Sequence, residues 1–182
     1  MPMYVYIVIG VGWLLWLTPF FRYKRGSAPA QKTDRRARWG IVLEMLGYSL
    51  LWQGRFWERT PALWQLTLGV FFFASAILFS WSATPVLGKQ WRVEASLSAD
   101  HQLVTGGPYR IIRHPIYASM FSIFLAIGSL VTSWWLFAIA AVIFVSGTEI
   151  RVRVEDGLLA SRFGAEFESF RRRVPAYIPW VR

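Results

Sequence analysis

Residues 61–88 read PALWQLTLGVFFFASAILFSWSATPVLG and hold 28 consecutive positions without a charged side chain. A helix of about 20 residues is long enough to cross the ~30 Å hydrocarbon core of a bilayer. Inside that core each backbone amide has to be bonded within the protein, so an uncharged run of this length is expected to be helical. The runs 3–21 and 116–148 have the same character. Together the three runs predict an integral membrane protein built from helices.

The composition of the 182-residue chain agrees with this class. Apolar residues make up 55% of it and aromatic residues 18%, and the apolar share exceeds the ~45–50% of ordinary soluble proteins. A disordered chain is excluded because disorder requires low hydrophobicity. The chain has no cysteine and only two histidines, His101 and His114. Disulfides, thiolate-bound metals and a cysteine nucleophile are therefore excluded, and no metal is expected.

The predicted fold is an all-α, multi-pass transmembrane helical bundle of five spans. The 33-residue run 116–148 is too long for one helix of ordinary tilt, and we expect an interfacial turn near Thr132 and Ser133 to divide it. The second span is short and carries Glu44. We expect two regions, residues 1–86 with the first three spans and residues 87–182 with the functional core. The predicted spans are residues 3–21, 39–54, 62–83, 116–132 and 134–150.

The basic residues predict an orientation, because cytoplasmic loops of membrane proteins are enriched in lysine and arginine. Five spans place 18 of the 20 basic residues on one side and leave Arg55 and Arg59 on the other. The N-terminus is then outside and the C-terminus cytoplasmic, in the inner membrane of a prokaryote or the endoplasmic reticulum of a eukaryote. The net charge of +10 thus reflects topology, and nucleic acid is not an expected partner. Positive charges follow the first span instead of preceding it, which favours a retained helix over a signal peptide.

The polar stretch 101–117, HQLVTGGPYRIIRHPIY, is the first candidate for chemistry. Its Gly-Gly-Pro sequence at 106–108 predicts a turn in which backbone amides can approach a ligand. Pro115 is expected at the first position of the fourth span, with His114 as the cap. The unbonded N–H groups of that helix start would suit an anion. The alternative is a membrane-entry loop whose arginines contact lipid phosphates.

The second candidate is the stretch 149–170, in which apolar residues recur every three to four positions. This spacing predicts a cytoplasmic amphipathic helix that bends near Gly164. Arg151 and Glu155 lie four residues apart, so they could form a surface pair of about 0.2–0.5 kcal/mol. The adjacent carboxylates Glu155 and Asp156 could instead accept hydrogen bonds from a ribose or hold a cation. A solvated helix face remains the simpler interpretation of this stretch alone.

Taken together, the two stretches resemble the isoprenylcysteine carboxyl methyltransferase family of membrane enzymes and, more loosely, the phospholipid methyltransferases. The resemblance covers about residues 87–181. It rests on the 101–117 block, R-x-x-x-E-D-x-x-L at 151–159, FGAEFESF at 163–170 and RVPAYIPW at 173–180. It implies S-adenosylmethionine as cofactor, bound on the cytoplasmic side between the Arg-His-Pro loop and the C-terminal helix.

The resemblance also implies site residues. Arg113 and Arg151 would face the methyl acceptor, and an upstream polar contact would fall on Glu94 or Ser96. Relatives often carry several consecutive acidic residues, where this chain has only Glu155 and Asp156. The implied cofactor contacts are His101, Gln102, Leu103, Val104, Tyr109, His114, Pro115, Ile116, Tyr117 and Glu155.

The leading hypothesis is methyl transfer to a lipophilic small molecule that enters from the bilayer, with membrane lipids as the surroundings. A prenylcysteine-like carboxylate needs no general base at neutral pH, and attack on a sulfonium methyl group brings opposite charges together in a dry pocket. Methylation of a lipid amine would require Glu155, Asp156 or Glu44 as base. A sterol-reductase-like enzyme using NADPH and a lipid-binding scaffold without activity are further alternatives. The oligomeric state and the identity of the acceptor are left open by the sequence.

Overall fold

The computed structural model describes residues 1–23, 30–90, 95–98 and 101–178, and most of this part of the chain is helical. Five helices follow the apolar runs, and a sixth follows Gly164. Their bounds are Met3–Arg22 (α1), Ala37–Leu51 (α2), Leu63–Leu87 (α3), Pro115–Val131 (α4), Trp134–Phe163 (α5) and Ala165–Arg173 (α6).

Three of these helices, α1, α3 and α5, are long and apolar enough to cross a membrane by length and composition. Helix α4 is apolar but has 17 residues, and α2 has 15. Many large apolar side chains on the long helices point away from the protein, among them Leu63, Leu78 and Val142 at 79%, 68% and 68% exposure. A helix that is apolar on all sides is typical of a lipid environment. The count of five spans and the sides of the membrane stay predictions.

The boundaries predicted from sequence agree with the helices within three residues, except at the end of α5 and in α3. That helix continues past the predicted end at 83 and contains Pro85 in its last turn. The expected break between the fourth and fifth spans lies at Thr132 and Ser133, between α4 and α5. The expected bend at Gly164 is also present, because that residue has φ of +50° and separates α5 from α6.

Helix α5 is one continuous helix of 30 residues, which corresponds to about 45 Å. The predicted fifth span and the first part of the predicted amphipathic helix are therefore one continuous helix. Because this length exceeds the ~30 Å of a hydrocarbon core, the C-terminal part of α5 can carry polar side chains beyond the apolar bundle. This part holds Arg151, Glu155 and Asp156.

The all-α description is incomplete, because two short strands pair in antiparallel fashion. They are Ala30–Thr33 (β1) and Ser96–Ser98 (β2), with Thr33 opposite Ser96. Strands of four and three residues are too short to show an alternating pattern in the sequence. The pair joins the segment after α1 to the segment after α3.

The bundle is built from two closely packed helix pairs, α2 with α5 and α3 with α4. Its centre is aromatic, and the rings of Phe124 and Phe144 stack with centroids 4.6 Å apart. Phe144 also lies against Tyr48 of α2, at 5.2 Å. Close packing of this kind fixes the helices relative to one another, and it fixes the end of the bundle where the polar residues collect.

Candidate functional site

Three segments that are distant in sequence meet at one end of the bundle. The β1–β2 pair joins the first two, and the Asp34 amide adds a hydrogen bond to the Ala95 carbonyl at 3.2 Å. The third segment follows α6. There the Arg113 amide donates to the Pro175 carbonyl and the His114 amide to the Ala176 carbonyl, both at 2.8 Å. The basic residues concentrate in the first two of these segments and in the C-terminal parts of the chain that precede the third, the polar part of α5 and α6.

A cavity of about 360 Å³ lies at this end of the bundle, within the usual range of small-molecule sites. Its wall combines the loop before α4, the start of α4, the polar part of α5, α6 and the end of α1. Ser96 of β2 also lines it, whereas Glu94, the other candidate for the upstream contact, lies outside the described residues. All twelve residues implied by the resemblance line this cavity: His101, Gln102, Leu103, Val104, Tyr109, Arg113, His114, Pro115, Ile116, Tyr117, Arg151 and Glu155.

The Gly-Gly-Pro turn forms as the sequence predicts. Gly107 has φ of +56°, a conformation that favours glycine, and Gly107–Arg110 is a short 3-10 helix. The turn brings Tyr109 into the protein, where it is 6% exposed. Burial, and then the negative charge of Glu155, raise the pKa of the Tyr109 hydroxyl. Tyr109 therefore stays neutral, and it lines the cavity.

Pro115 is the first residue of α4 and His114 is its N-cap, as predicted, but the His114 side chain makes no capping hydrogen bond. Its Nε2 lies 3.0 Å from Asp156 Oδ1, and its Nδ1 lies 3.4 Å from Glu155 Oε2. Burial alone lowers the pKa of His114, but the hydrogen bonds and charges of the two carboxylates outweigh it and raise the pKa to about 9. An imidazolium therefore holds the start of α4 against α5.

Arg113 has a buried guanidinium that joins α5 to the segment after α6. Its Nη2 donates to Asp156 Oδ2 at 3.0 Å. Its Nη1 donates to the Arg171 carbonyl at 3.1 Å and also to the Val174 carbonyl. Arg113 thus lines the cavity with most of its donors already used, which suits a residue that holds the wall together.

Arg151 is 8% exposed and is not part of a solvated helix face. Its Nη1 donates to Glu44 Oε2 of α2 at 2.6 Å. Its Cζ lies 4.6 Å from the centroid of the Tyr117 ring, within the range of a cation–π contact. The Tyr117 hydroxyl in turn donates to Glu155. Arg151 therefore forms a buried ion pair with Glu44 of another helix, which the sequence did not predict.

Comparison with known proteins assigns the chain to a family. Residues 64–166, more than half of the chain, match the phospholipid methyltransferase family. The chain belongs to this family. The match to this phospholipid methyltransferase family begins in α3 and ends in α6, so it includes the whole loop before α4 and the polar part of α5.

Three individual relatives are similar to the chain over part of their length. The chain is 32% identical to the cobalt-zinc-cadmium resistance protein CzcN of Cupriavidus metallidurans, over 78% of this chain and 62% of that one. It is 28% identical to the protein-S-isoprenylcysteine O-methyltransferase of Schizosaccharomyces pombe, over 68% of this chain and 50% of that one. It is 31% identical to methanethiol S-methyltransferase 2 of Bradyrhizobium diazoefficiens, over 39% of this chain and 26% of that one. Two of these three relatives are named as methyltransferases, which is consistent with the family assignment. The chain spans 62% of the length of the two resistance proteins it matches.

One wall of the cavity lies outside the family match and was not found from the sequence. The end of α1 contributes Trp16, Leu17, Phe20 and Phe21. Trp16 is 8% exposed, and its Nε1 donates to Ser119 Oγ of α4 at 3.0 Å. Because α1 is apolar on all sides, its sequence does not distinguish residues that face a cavity from residues that face lipid.

A second wall comes from α6. Phe167 and Phe170 both line the cavity, at 0% and 6% exposure. Their spacing of three residues predicts an amphipathic helix, but it does not indicate that the apolar face of this helix lines a cavity. The lining of the cavity of this phospholipid methyltransferase family member therefore combines aromatic and aliphatic side chains with charged ones.

Proposed function

We propose that this chain is an S-adenosylmethionine-dependent methyltransferase that esterifies the carboxylate of a lipophilic acceptor. The family assignment supports a methyltransferase. The observation that carries the proposal is the cavity, which is lined both by the contacting residues His114, Tyr117, Glu155 and Arg151 and by the apolar end of α1. A lipophilic carboxylate and a cationic nucleotide both suit such a wall.

The residues of the cavity fit S-adenosylmethionine, which would supply an electrophilic methyl group on a sulfonium. Glu155 is a carboxylate that can accept hydrogen bonds from ribose hydroxyl groups. Tyr109 and Tyr117 present aromatic faces, which attract cations. The loop residues from His101 to Val104 complete the wall. We propose that these residues hold the cofactor.

Arg151 is the proposed contact for the acceptor carboxylate. A carboxylate is ionised at neutral pH, so the protein has to orient it and exclude water but not to remove a proton. The bound cofactor would supply its methyl group to the carboxylate oxygen that Arg151 orients, with the thioether sulfur as leaving group. Because opposite charges are neutralised in this step, a buried cavity favours it.

The hydrophobic part of the acceptor is proposed to lie against α1. Leu17, Phe20 and Phe21 line the cavity there, and Phe21 is 79% exposed on the outer side. We propose that the acceptor enters from the bilayer past this end of α1, with the cavity on the cytoplasmic side. This orientation follows from the basic residues and is part of the proposal.

A lipid amine is the less favoured acceptor, because it would have to lose a proton to a base. Among the described residues that line the cavity, Glu155 is the only carboxylate. It already accepts a hydrogen bond from Tyr117 and lies 3.4 Å from the His114 imidazolium. Asp156 and Glu44, the other suggested bases, are not among the described lining residues. The surroundings of Glu155 therefore favour an acceptor that is already an anion.

Calorimetric titration of the full chain in detergent tests the cofactor. We expect binding of S-adenosylhomocysteine and no binding of NADPH. Binding of NADPH alone would overturn the methyltransferase in favour of the reductase, and binding of neither would favour the scaffold. Methyl transfer from labelled S-adenosylmethionine is then measured with N-acetyl-S-farnesylcysteine, dodecanethiol and vesicles of phosphatidylethanolamine. Labelling of the thiol or the amine in place of the carboxylate would contradict the proposed acceptor class.

A further inference from the structure

The buried carboxylate of Glu44 lies in α2, next to the cavity residue Arg151 but not among the described residues that line the cavity. Glu44 is 2% exposed, in a helix that the sequence predicts to be a membrane span. A charge buried in such a place is costly and is most often functional. Replacing a buried ion pair with apolar residues is often neutral or stabilising. Fold stability alone therefore does not account for a glutamate here.

Both oxygens of Glu44 are engaged by α5. Oε2 accepts from Arg151 Nη1 at 2.6 Å, and Oε1 accepts from Thr148 Oγ1 at 3.0 Å. Thr148 is itself buried, at 1% exposure. The two donors lie three residues apart on one helix and hold the carboxylate from two directions. The carboxylate is thus fixed in place and oriented toward the guanidinium.

Helices α2 and α5 approach each other closely beside this ion pair. A Cβ atom on Gly40 would lie 2.4 Å from Arg151 Cγ and 2.6 Å from the Gly147 carbonyl oxygen. A Cβ atom on Gly147 would lie 2.6 Å from the Gly40 carbonyl oxygen. Because neither position leaves room for a side chain, the stem of Arg151 passes directly over the backbone of α2. The two glycines leave room for the methylene groups of Arg151, and Glu44 binds its guanidinium.

The held arginine reaches the cavity. Arg151 lines it and lies over the ring of Tyr117, whereas Glu44 is not among the described residues that line it. A direct role for Glu44 as base is therefore unsupported. Resting on the proposed function, in which Arg151 contacts the acceptor, we propose that Glu44 is a positioning residue that orients the Arg151 guanidinium toward the acceptor carboxylate.

Chemical labelling of arginine tests this proposal without any acceptor. Phenylglyoxal modifies accessible guanidinium groups, and peptide mass spectrometry measures the rate at each arginine. We expect Glu44→Gln to increase the rate at Arg151 by about tenfold and to leave the rate at Arg113 unchanged, since Arg113 belongs to a separate ion pair. Equal rates at Arg151 in wild type and variant would overturn the proposal. A parallel increase at Arg113 would also overturn it, because it would show general loosening.

Steady-state kinetics of methyl transfer are the second measurement. The acceptor is N-acetyl-S-farnesylcysteine or, if the wild type does not methylate it, whichever of dodecanethiol and phosphatidylethanolamine it does methylate. We expect Glu44→Gln to raise KM for the acceptor about tenfold while the Kd for S-adenosylhomocysteine stays within about twofold. Glu44→Asp should recover part of the loss. An unchanged KM would contradict the proposal. Glu58→Gln, an exposed glutamate at the other end of the bundle, serves as the matched control.

A buried arginine without its counter-ion destabilises a protein, so a milder variant is needed. Thr148→Val keeps the shape and the ion pair but removes the hydrogen bond to Glu44 Oε1. In this variant we expect the labelling rate at Arg151 and the KM for the acceptor to rise only two- to threefold. For KM this corresponds to about 0.5 kcal/mol of binding free energy. If the wild type fails to bind S-adenosylhomocysteine while labelling responds as expected, the proposed function fails and the positioning of Arg151 stands.

Discussion

His114 Nε2 lies 3.0 Å from Asp156 Oδ1, and this contact joins the start of α4 to a helix position 42 residues further along the chain. Helix α4 begins directly after His114. The contact therefore sets the position of the cavity wall formed by the first turn of α4. It also makes the protein sensitive to the protonation of one imidazole.

The stability of the protein should fall as His114 loses its proton. The pKa of His114 is raised to about 9 in the folded protein, whereas an unfolded histidine has a pKa of about 6.5. Because the folded pKa is the higher one, the stabilisation is fully present below pH 6.5 and is lost as the pH rises through 9. It amounts to at most about 3 kcal/mol. Thermal unfolding in detergent, followed by tryptophan fluorescence, should show Tm falling across this interval.

Asp156→Asn is the matching variant for this pH dependence. It removes one of the two carboxylates that hold the imidazolium, so the decline of Tm between pH 6.5 and 9 should be shallower than in the wild type. An identical decline in both proteins would show that another group is responsible.

Glu155→Gln should weaken binding of S-adenosylhomocysteine by about tenfold to a hundredfold. A hydrogen bond to a charged acceptor contributes about 1.5–3 kcal/mol, and the amide would also lose its charge-assisted contact with Tyr117. Calorimetry measures the change. Glu166→Gln, an exposed position on α6, is the control and should bind as the wild type does. Unchanged affinity in Glu155→Gln would remove this residue from the proposed cofactor site.

Arg113→Lys should loosen the segment after α6. Lysine cannot reproduce the donors that reach the Arg171 and Val174 carbonyls and Asp156 together. We expect the amides of residues 113 and 114, which donate to the same segment, to exchange hydrogen faster in mass spectrometry. Exchange in the apolar half of α5 should not change. If the amides of residues 113 and 114 stay protected from exchange in the variant, the Arg113 side chain does not hold the segment after α6 in place.

Gly147→Ala should destabilise the protein by about 1–3 kcal/mol, the usual cost of forcing atoms into a packed interface. The added Cβ atom would lie 2.6 Å from the Gly40 carbonyl oxygen, so α2 and α5 would have to separate. Gly157→Ala is the matched control in the same helix, because nothing lies within 4 Å of its added Cβ atom. That change should be neutral or stabilise by up to about 1 kcal/mol. Equal Tm values for the two variants would refute the close approach of the helices.

Much of the helical framework could be predicted from sequence because its signals are local. Uncharged runs predict α1, α3, α4 and the first half of α5, and Pro115 and Gly164 indicate where helices begin and end. The twelve site residues came from a family resemblance, and the fold gathers all of them around one cavity. Their roles in binding and turnover stay predictions.

The remaining features depend on contacts between distant segments. Glu44 and Arg151 are 107 residues apart, and no periodic pattern links them. Trp16 faces Ser119 over a separation of 103 residues, on a helix whose apolar faces are indistinguishable in sequence. The β1–β2 pair likewise depends on two segments meeting at the end of the bundle. Such pairings are set by helix packing, which spacing along the chain does not encode.

The backbone pairing of residues 113 and 114 with Pro175 and Ala176 has a consequence for biosynthesis. While the ribosome is still adding the residues after α6, the loop before α4 lacks the carbonyls that hold its amides. The cavity is therefore complete only after residue 176 has left the exit tunnel. Helices already inserted in the membrane would have to wait for that late segment before any ligand could be captured.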